Sequence, residues 1–400
     1  MKIGIIREGK TPPDKRVPLT PEQVKEASKR FSNLSMAVER SDIRAFEDEE
    51  YEKLGVELTT DLTDCDVLMG VKEVPIDSLI PNKTYFFFSH TIKEQPYNRN
   101  LLRAVLEKNI RLIDWETLTN VKRRRIIGFG RYAGIVGAYN GFRAWGIRNR
   151  SFDLKPAHEC SNRAEMEQEY TKVKLPAIKI ALTGRGRVAK GAMEVLDDLK
   201  IKKVTPEEYL SQKFDYPVYA QLGVEHYNKR ADNKPSSQLD FFKNFTAYES
   251  DFMKFARVTD FFIAGHFYAE GSPYLFTRKD AKSEGFNVSV VADISCDIDG
   301  PIASTIRPST IDDPVYGYNP WTEQECDPTD EKAITVMAVD NLPCELPKDA
   351  SEDFGEEIIG QVLPQFFNGD QDEVLERATL TKDGKLTAKY SYLQSYVDGE

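Results

Sequence analysis

Five short apolar runs in the first 116 residues, separated by stretches of helical character, restrict this chain more than any other feature. They are MKIGIIRE at the start, MAVER (36–40), DVLMGVK (66–72), TYFFFSH (84–90) and IRLIDWE (110–116). Between the first two, Thr20-Pro21-Glu22-Gln23 opens a helix: Thr20 is the N-cap, Pro21 fits the first turn, and Gln23 completes a capping box. A short helix from Asp48 to Leu54 is stopped by Gly55, and another lies around residues 97–108. Strands joined through helices pair in parallel, and strands apolar at successive positions are buried on both faces. The pattern predicts an α/β fold with helices on both sides of a parallel sheet.

The alternation recurs later. GRYAGIVGAYNGFRAWGIR (130–148) is rich in small residues and helical in period, and is read as a helix leaving the first domain. Polar residues 150–175 form a connecting segment. PAIKIALT (176–183) opens a second strand–helix unit that DFFIAGH (260–266) and VSVVADIS (288–295) continue. Residues 205–250, rich in Tyr, Lys, Asn and Asp with weak periodicity, are read as an insertion outside the core. Residues 345–363 are helical in pattern, and the acidic C-terminal tail is expected in solvent.

Four hundred residues suffice for two domains with full cores. A net charge of −11 argues against nucleic acid, which needs a basic face. No apolar run reaches the ~18 residues of a membrane span. MKIGIIREGK lacks a signal-peptide layout, and Cys65, Cys160, Cys296, Cys326 and Cys344 form neither a CxxC pair nor a zinc spacing with histidine. A cytoplasmic protein with no metal site is expected.

Open parallel sheets bind ligands beyond the carboxyl ends of their strands. In this chain those ends carry Arg7-Glu8, Lys72-Glu73, His90 with Lys93, and Glu116, with Arg123, Arg124 and Arg125 soon after. A solvated face has no reason to gather charge at four strand ends, so the pattern points to a cleft for a charged ligand. A lone histidine at a strand end is otherwise a hydrogen-bonded structural residue, and that is the reading for His266. In the second unit Gly184-Arg185-Gly186-Arg187-Val188-Ala189 follows the 176–183 strand and precedes a helix, the setting of a dinucleotide-binding turn. About 20 residues on, where an acid normally holds the ribose of NAD, the chain reads Lys202-Lys203-Val204-Thr205. With Arg185 and Arg187 in the loop, this leans toward NADP, with NAD as the alternative.

The chain resembles the lysine–2-oxoglutarate reductase/saccharopine dehydrogenase (L-lysine-forming) family, related to the alanine dehydrogenase superfamily. The resemblance rests on RVPLTP (16–21), GVKEVP (70–75), KTYFFFSHTIKEQ (83–95), IRLIDWETL (110–118), FGRYAG (129–134), LTGRGRVAKGA (182–192), VADISCD (291–297) and VDNLPCELPKDASEDFG (339–355). It implies two Rossmann-like domains with an interdomain cleft: a discontinuous catalytic domain, 1–140 plus about 335–400, and a nucleotide-binding domain, 141–334. It implies reversible condensation of L-lysine with 2-oxoglutarate and reduction to saccharopine. Lys72 and His90 would be the acid–base pair. Arg16, Lys93, Gln95, Arg125 and Phe129 would bind substrate, and Asp293 to Ser295 would face it. Gly184, Gly186, Arg187, Ala189, Arg124, Ala292 and the segment Asp340, Asn341, Leu342 would contact the cofactor.

The residue types agree with that chemistry. Three substrate carboxylates call for Arg and Lys, and Glu73 and Glu116 can offset ammonium groups and tune Lys72 and His90. At the expected spacing the ribose-reading acid of the NAD-using fungal enzyme has no counterpart, and the resemblance does not extend to the glutamate-forming half of the bifunctional enzyme, so a separate glutamate-forming saccharopine dehydrogenase is an expected candidate partner. Two other readings stay open: an alanine-dehydrogenase-like amino-acid dehydrogenase, and a nucleotide-binding regulator without catalysis.

Overall fold

A computed structural model describes residues 1–399. The chain divides into two compact units: Met1–Phe129 with the chain from Pro347 onward, and Gly130–Leu346. Each is built on an eight-stranded, mostly parallel sheet.

In the first unit the strand order is Lys385–Leu386, Thr379–Lys382, Arg111–Asp114, Thr84–Phe87, Val67–Met69, Lys2–Ile5, Ser35–Glu39, Glu57–Thr59. The six strands from the N-terminal segment are parallel, and the two C-terminal strands join antiparallel at one edge. Alternation along Thr84–Phe87 sends Phe86 to one face, with Trp115 and Phe354, and Tyr85 and Phe87 to the other, with Leu101 and Val105. Helix Pro21–Arg30 carries the expected capping box between Thr20 and Gln23. Helix Pro347–Glu357 continues through a π-turn, Ile358–Val362, and buries Phe354, Ile358 and Val362 on the sheet. The C-terminal region is not a solvated tail: Leu380, Tyr390, Leu393 and Tyr396 are buried, completing the second face.

In the second unit the order is Gln324–Cys326, Val315–Asn319, Ile334–Met337, Val290–Asp293, Phe261–Ala264, Lys179–Thr183, Val218–Leu222, Lys202–Val204. The expectation that residues 205–250 lie outside the core is wrong, since Tyr209, Val218, Tyr227, Phe241 and Tyr248 are all buried in it. Val218–Leu222 pairs in parallel with Lys179–Thr183, and Val218, Ala220 and Leu222 are completely buried. Lys202–Val204 is the outer edge, so the third strand of this unit in sequence is inserted between the first and the second. Asn228–Arg230 and Tyr248–Ser250 form a separate two-stranded ribbon, whose Tyr248 packs with Phe241 into the same buried core.

Helix Gly130–Asn149 belongs to this second unit rather than leaving the first. Its small residues let it lie against helix Arg187–Asp198: a Cβ on Gly134 would sit 1.9 Å from the carbonyl oxygen of Val188, and one on Gly191 would sit 1.9 Å from that of Arg131. Among the described residues no helix is long and apolar enough to cross a membrane, and no His, Cys, Asp or Glu cluster has metal-binding geometry.

Candidate active site

Three adjacent parallel strands of the first unit end in the residues singled out above. After Val67–Met69 comes Lys72-Glu73, after Thr84–Phe87 comes His90, and after Arg111–Asp114 comes Glu116. His90 has left-handed backbone geometry (φ 53°), a conformation that bends the chain sharply off the strand. The bend is held from below by Asp114. This fully buried carboxylate accepts from the Ser89 N–H (2.9 Å), the Ser89 hydroxyl and the Glu116 N–H (2.7 Å), tying two strand ends together.

The side chains then converge. His90 Nδ1 is 2.7 Å from Glu73 Oε1, and Lys10 Nζ donates to Glu73 Oε2 at 2.8 Å. Burial works against the charge of Glu73, but the hydrogen bonds from His90 and Lys10 outweigh it and hold the pKa down to about 2. Glu8 accepts from the Val71 N–H (2.6 Å) and the Lys72 N–H (2.8 Å), one on each oxygen, and so fixes the backbone that carries Lys72. Burial drives the Glu8 pKa up to about 8 against those two bonds. Lys93 Nζ is 3.5 Å and Arg125 Nη1 4.0 Å from Glu116 Oε1, while the other Glu116 oxygen is buried without a hydrogen-bond partner among the described residues.

Arg16, expected on a substrate carboxylate, is 3% exposed and bidentate on Asp14, with Nε–Oδ1 3.0 Å and Nη2–Oδ2 2.6 Å. Burial raises the Asp14 pKa, but the Arg16 guanidinium prevails and keeps it well below the carboxylate range. Arg16 also lies 4.1 Å above the Phe129 ring, which stacks on Phe354. Arg125 sits over Phe88 and donates to the Ile127 carbonyl. The Gln95 side chain accepts from the Tyr97 hydroxyl. Arg124 is exposed, its N–H on Asn120 in a turn. Glu8, one of the strand-end charges, and Lys10, which the sequence does not single out, are therefore part of the constellation.

In the second unit the glycine turn has the geometry a dinucleotide needs. Gly184 is left-handed (φ 97°), and a Cβ there would strike the Gly265 carbonyl at 2.4 Å. Gly186 caps helix Arg187–Asp198, and a Cβ on it would meet nothing within 4 Å, which leaves open space at the helix N-terminus for a pyrophosphate. Ala189 is completely buried, as the third position of the turn requires for helix–sheet packing. These residues fit a nicotinamide dinucleotide. His266 is buried, with Nδ1 2.8 Å from the Thr183 hydroxyl, and its burial lowers its pKa to about 4.

Other expected contacts fall differently. Ala292 is completely buried with its methyl against Gly141, inside the helix–sheet core. Asp293 is fully buried and its carboxylate is occupied by the Ser295 N–H and hydroxyl, the Cys296 N–H and the Thr305 hydroxyl, so it shapes the loop after its strand. Asp340 is exposed, Asn341 precedes the turn Leu342–Glu345, and Leu342 is buried.

The family model for the alanine dehydrogenase/PNT N-terminal domain matches residues 4–136. The chain is 31% identical over 98% of its length to alpha-aminoadipic semialdehyde synthase of Mus musculus, but spans only 47% of that protein. It is 24% identical to the NAD(+), L-lysine-forming saccharopine dehydrogenase of Yarrowia lipolytica, with 82% of each chain covered. An L-alanine dehydrogenase structure superposes with a TM-score of 0.66 at 16% identity, over 100% of this chain and 99% of that one, which establishes the shared fold. Over nearly its whole length the chain is thus similar to alpha-aminoadipic semialdehyde synthase and to saccharopine dehydrogenase, on an alanine-dehydrogenase-like fold.

Proposed function

We propose that this chain catalyses the reversible, nicotinamide-dependent condensation of L-lysine with 2-oxoglutarate and reduction of the resulting imine to saccharopine. The observation that carries the reading is the His90–Glu73–Lys10 constellation beside Lys72, at the carboxyl ends of neighbouring parallel strands. Forming the imine removes a proton from the amine and expels water from the carbinolamine, so a group that both takes and gives protons is required. With Nδ1 held by Glu73, the His90 Nε2 is the nitrogen left to exchange a proton with a bound substrate. Lys72 is the second acid–base group, on a backbone that Glu8 fixes. Lys93 and Arg125 flank Glu116 and offer positive charge to substrate carboxylates, and Glu116 offsets a substrate ammonium. Gly184, Gly186 and the helix N-terminus at Arg187 would hold a nicotinamide dinucleotide, which would supply the hydride.

The test is nucleotide oxidation followed spectrophotometrically, with NADH and NADPH in turn. Oxidation should need both lysine and 2-oxoglutarate and should collapse in His90→Ala while nucleotide binding persists. Oxidation with free ammonia and a 2-oxoacid, and none with lysine, would replace this reading with that of an alanine-dehydrogenase-like enzyme. Nucleotide binding without oxidation by any of these donors would replace it with a regulator.

A further inference from the structure

The lean toward NADP rests on Lys202–Thr205 as the strand end that meets the adenosine ribose. The sheet contradicts that assignment. Lys202–Val204 is the outer edge, and the strand hydrogen-bonded beside the glycine-turn strand is Val218–Leu222, with Thr183 opposite Leu222. In a Rossmann sheet the acid that meets the ribose hydroxyls stands just past the end of the strand neighbouring the first. Here that place is Gly223-Val224-Glu225. It comes 41 residues after Gly184 rather than the usual ~20 because the edge strand and its helix are threaded in between.

The side chains at this strand end form a local assembly with the glycine turn. The Gly184 N–H donates to the Leu222 carbonyl at 2.9 Å, and Gln221 Nε2 donates to the Gly184 carbonyl at 3.0 Å. Glu225 Oε1 is ion-paired with Arg185 of the turn. Its other oxygen, Oε2, is shielded from solvent and has no hydrogen-bond partner among the described residues. The strand end is left without a side chain at Gly223, where a Cβ would stand 2.5 Å from the Arg185 guanidinium and 2.7 Å from Glu225 Oε2. His226 Nδ1 accepts the Gly223 N–H and pins the loop. Three of the four cations that would have served a 2′-phosphate are engaged elsewhere: Arg185 on Glu225, Lys203 on Gln221 at 2.9 Å and Lys202 on the Tyr216 hydroxyl at 3.1 Å.

Resting on the reading of the second unit as a nicotinamide-nucleotide site, we propose that Glu225, covered by Arg185, is the residue that selects the nucleotide, and that it selects NAD(H). Oε2 accepts the ribose 2′-hydroxyl, and Arg185, a long and 43% exposed side chain, moves aside to admit it. A 2′-phosphate at the same place brings like charge against the carboxylate.

The experiment is fluorescence titration of the full chain with NADH and with NADPH, which requires no turnover. Wild type should bind NADH tighter than NADPH by about tenfold or more, the range for one hydrogen bond to a charged group. Glu225→Gln keeps the shape and should move the ratio toward NADPH by a similar factor. Arg185→Gln uncovers the carboxylate and should move the ratio the other way, a change of sign that no general loss of folding produces. Tighter NADPH binding by wild type, or a ratio that neither variant moves, overturns the assignment of Glu225 while leaving a nucleotide site in place. Binding of neither nucleotide to wild type overturns the nucleotide-site reading and this inference with it.

Discussion

His90 Nδ1 lies 2.7 Å from Glu73 Oε1, on a residue whose backbone is left-handed, so a carboxylate and a sharp bend together set where the imidazole points. Because Glu73 also holds Lys10, its loss affects both side chains. Glu73→Gln keeps the shape but replaces one acceptor oxygen with an NH2, so the imidazole and Lys10 can no longer both be held by a carboxylate oxygen. Loss of one hydrogen bond to a charged group should lower kcat/KM by about tenfold or more. Steady-state kinetics on wild type and variant checks this, and an unchanged rate would show that Glu73 only buttresses the loop.

Glu8 works one step further from the substrate. Each of its oxygens accepts one main-chain N–H, from Val71 and from Lys72. Glu8→Gln turns one acceptor into an NH2 facing an N–H, so one bond is lost and the Lys72 backbone shifts. An unsatisfied buried donor costs about 1–3 kcal/mol, and misplacement of that size should lower kcat by about tenfold. Because Glu8 touches the backbone rather than the substrate, KM for lysine should change much less than kcat. Steady-state kinetics on the two proteins separates the effects.

The approach of helices Gly130–Asn149 and Arg187–Asp198 leaves no room for a methyl group at Gly134. Gly134→Ala forces the helix axes apart and should cost at least about 2 kcal/mol, as overpacking of a tight contact does. Gly360→Ala is the control. It lies in the helical segment Ile358–Val362, where a Cβ meets nothing within 4 Å, and it should be neutral or stabilising by up to about 1 kcal/mol. Urea unfolding of both variants gives the comparison.

What could be seen in the sequence was whatever depends on neighbours. The Thr20–Gln23 capping box, the glycine turn at Gly184 and the strand ends at Lys72, His90 and Glu116 are all legible, because each is set within a few residues. What was missed depends on partners far along the chain. Glu8 and Lys10 meet residues 63 or 64 positions away, which no spacing rule reaches. Val218–Leu222 sits among polar residues that read as an insertion, and its pairing with Lys179–Thr183 is what shows it as core. The same displacement hid Glu225, since counting about 20 residues from a glycine turn presumes that the second strand in sequence is also the second in space. Arg16 and Asp293 were legible as charged residues, but not the partners that occupy them.

His266 gives the second unit a pH dependence whose sign can be stated. Burial lowers its pKa from 6.5 to about 4, so the folded protein keeps it neutral where the unfolded chain protonates it. Between pH 6.5 and 4 the unfolded state therefore binds more protons, and stability falls as the pH is lowered through that window. This one group contributes a slope of at most about 1.4 kcal/mol per pH unit. Glu73, whose pKa is also depressed, adds its own loss only from 4.5 downward, so the interval from 6.5 to 4.5 isolates the histidine from it. His266→Asn keeps an acceptor near the Thr183 hydroxyl without the titration. Unfolding free energies from urea titrations at successive pH values should differ between variant and wild type by a constant above pH 6.5. Below it the difference should change steadily in favour of the variant. A difference independent of pH down to 4.5 would mean that His266 is protonated in the folded protein as readily as in the unfolded one, and that its buried Nε2 finds a partner when it takes up the proton.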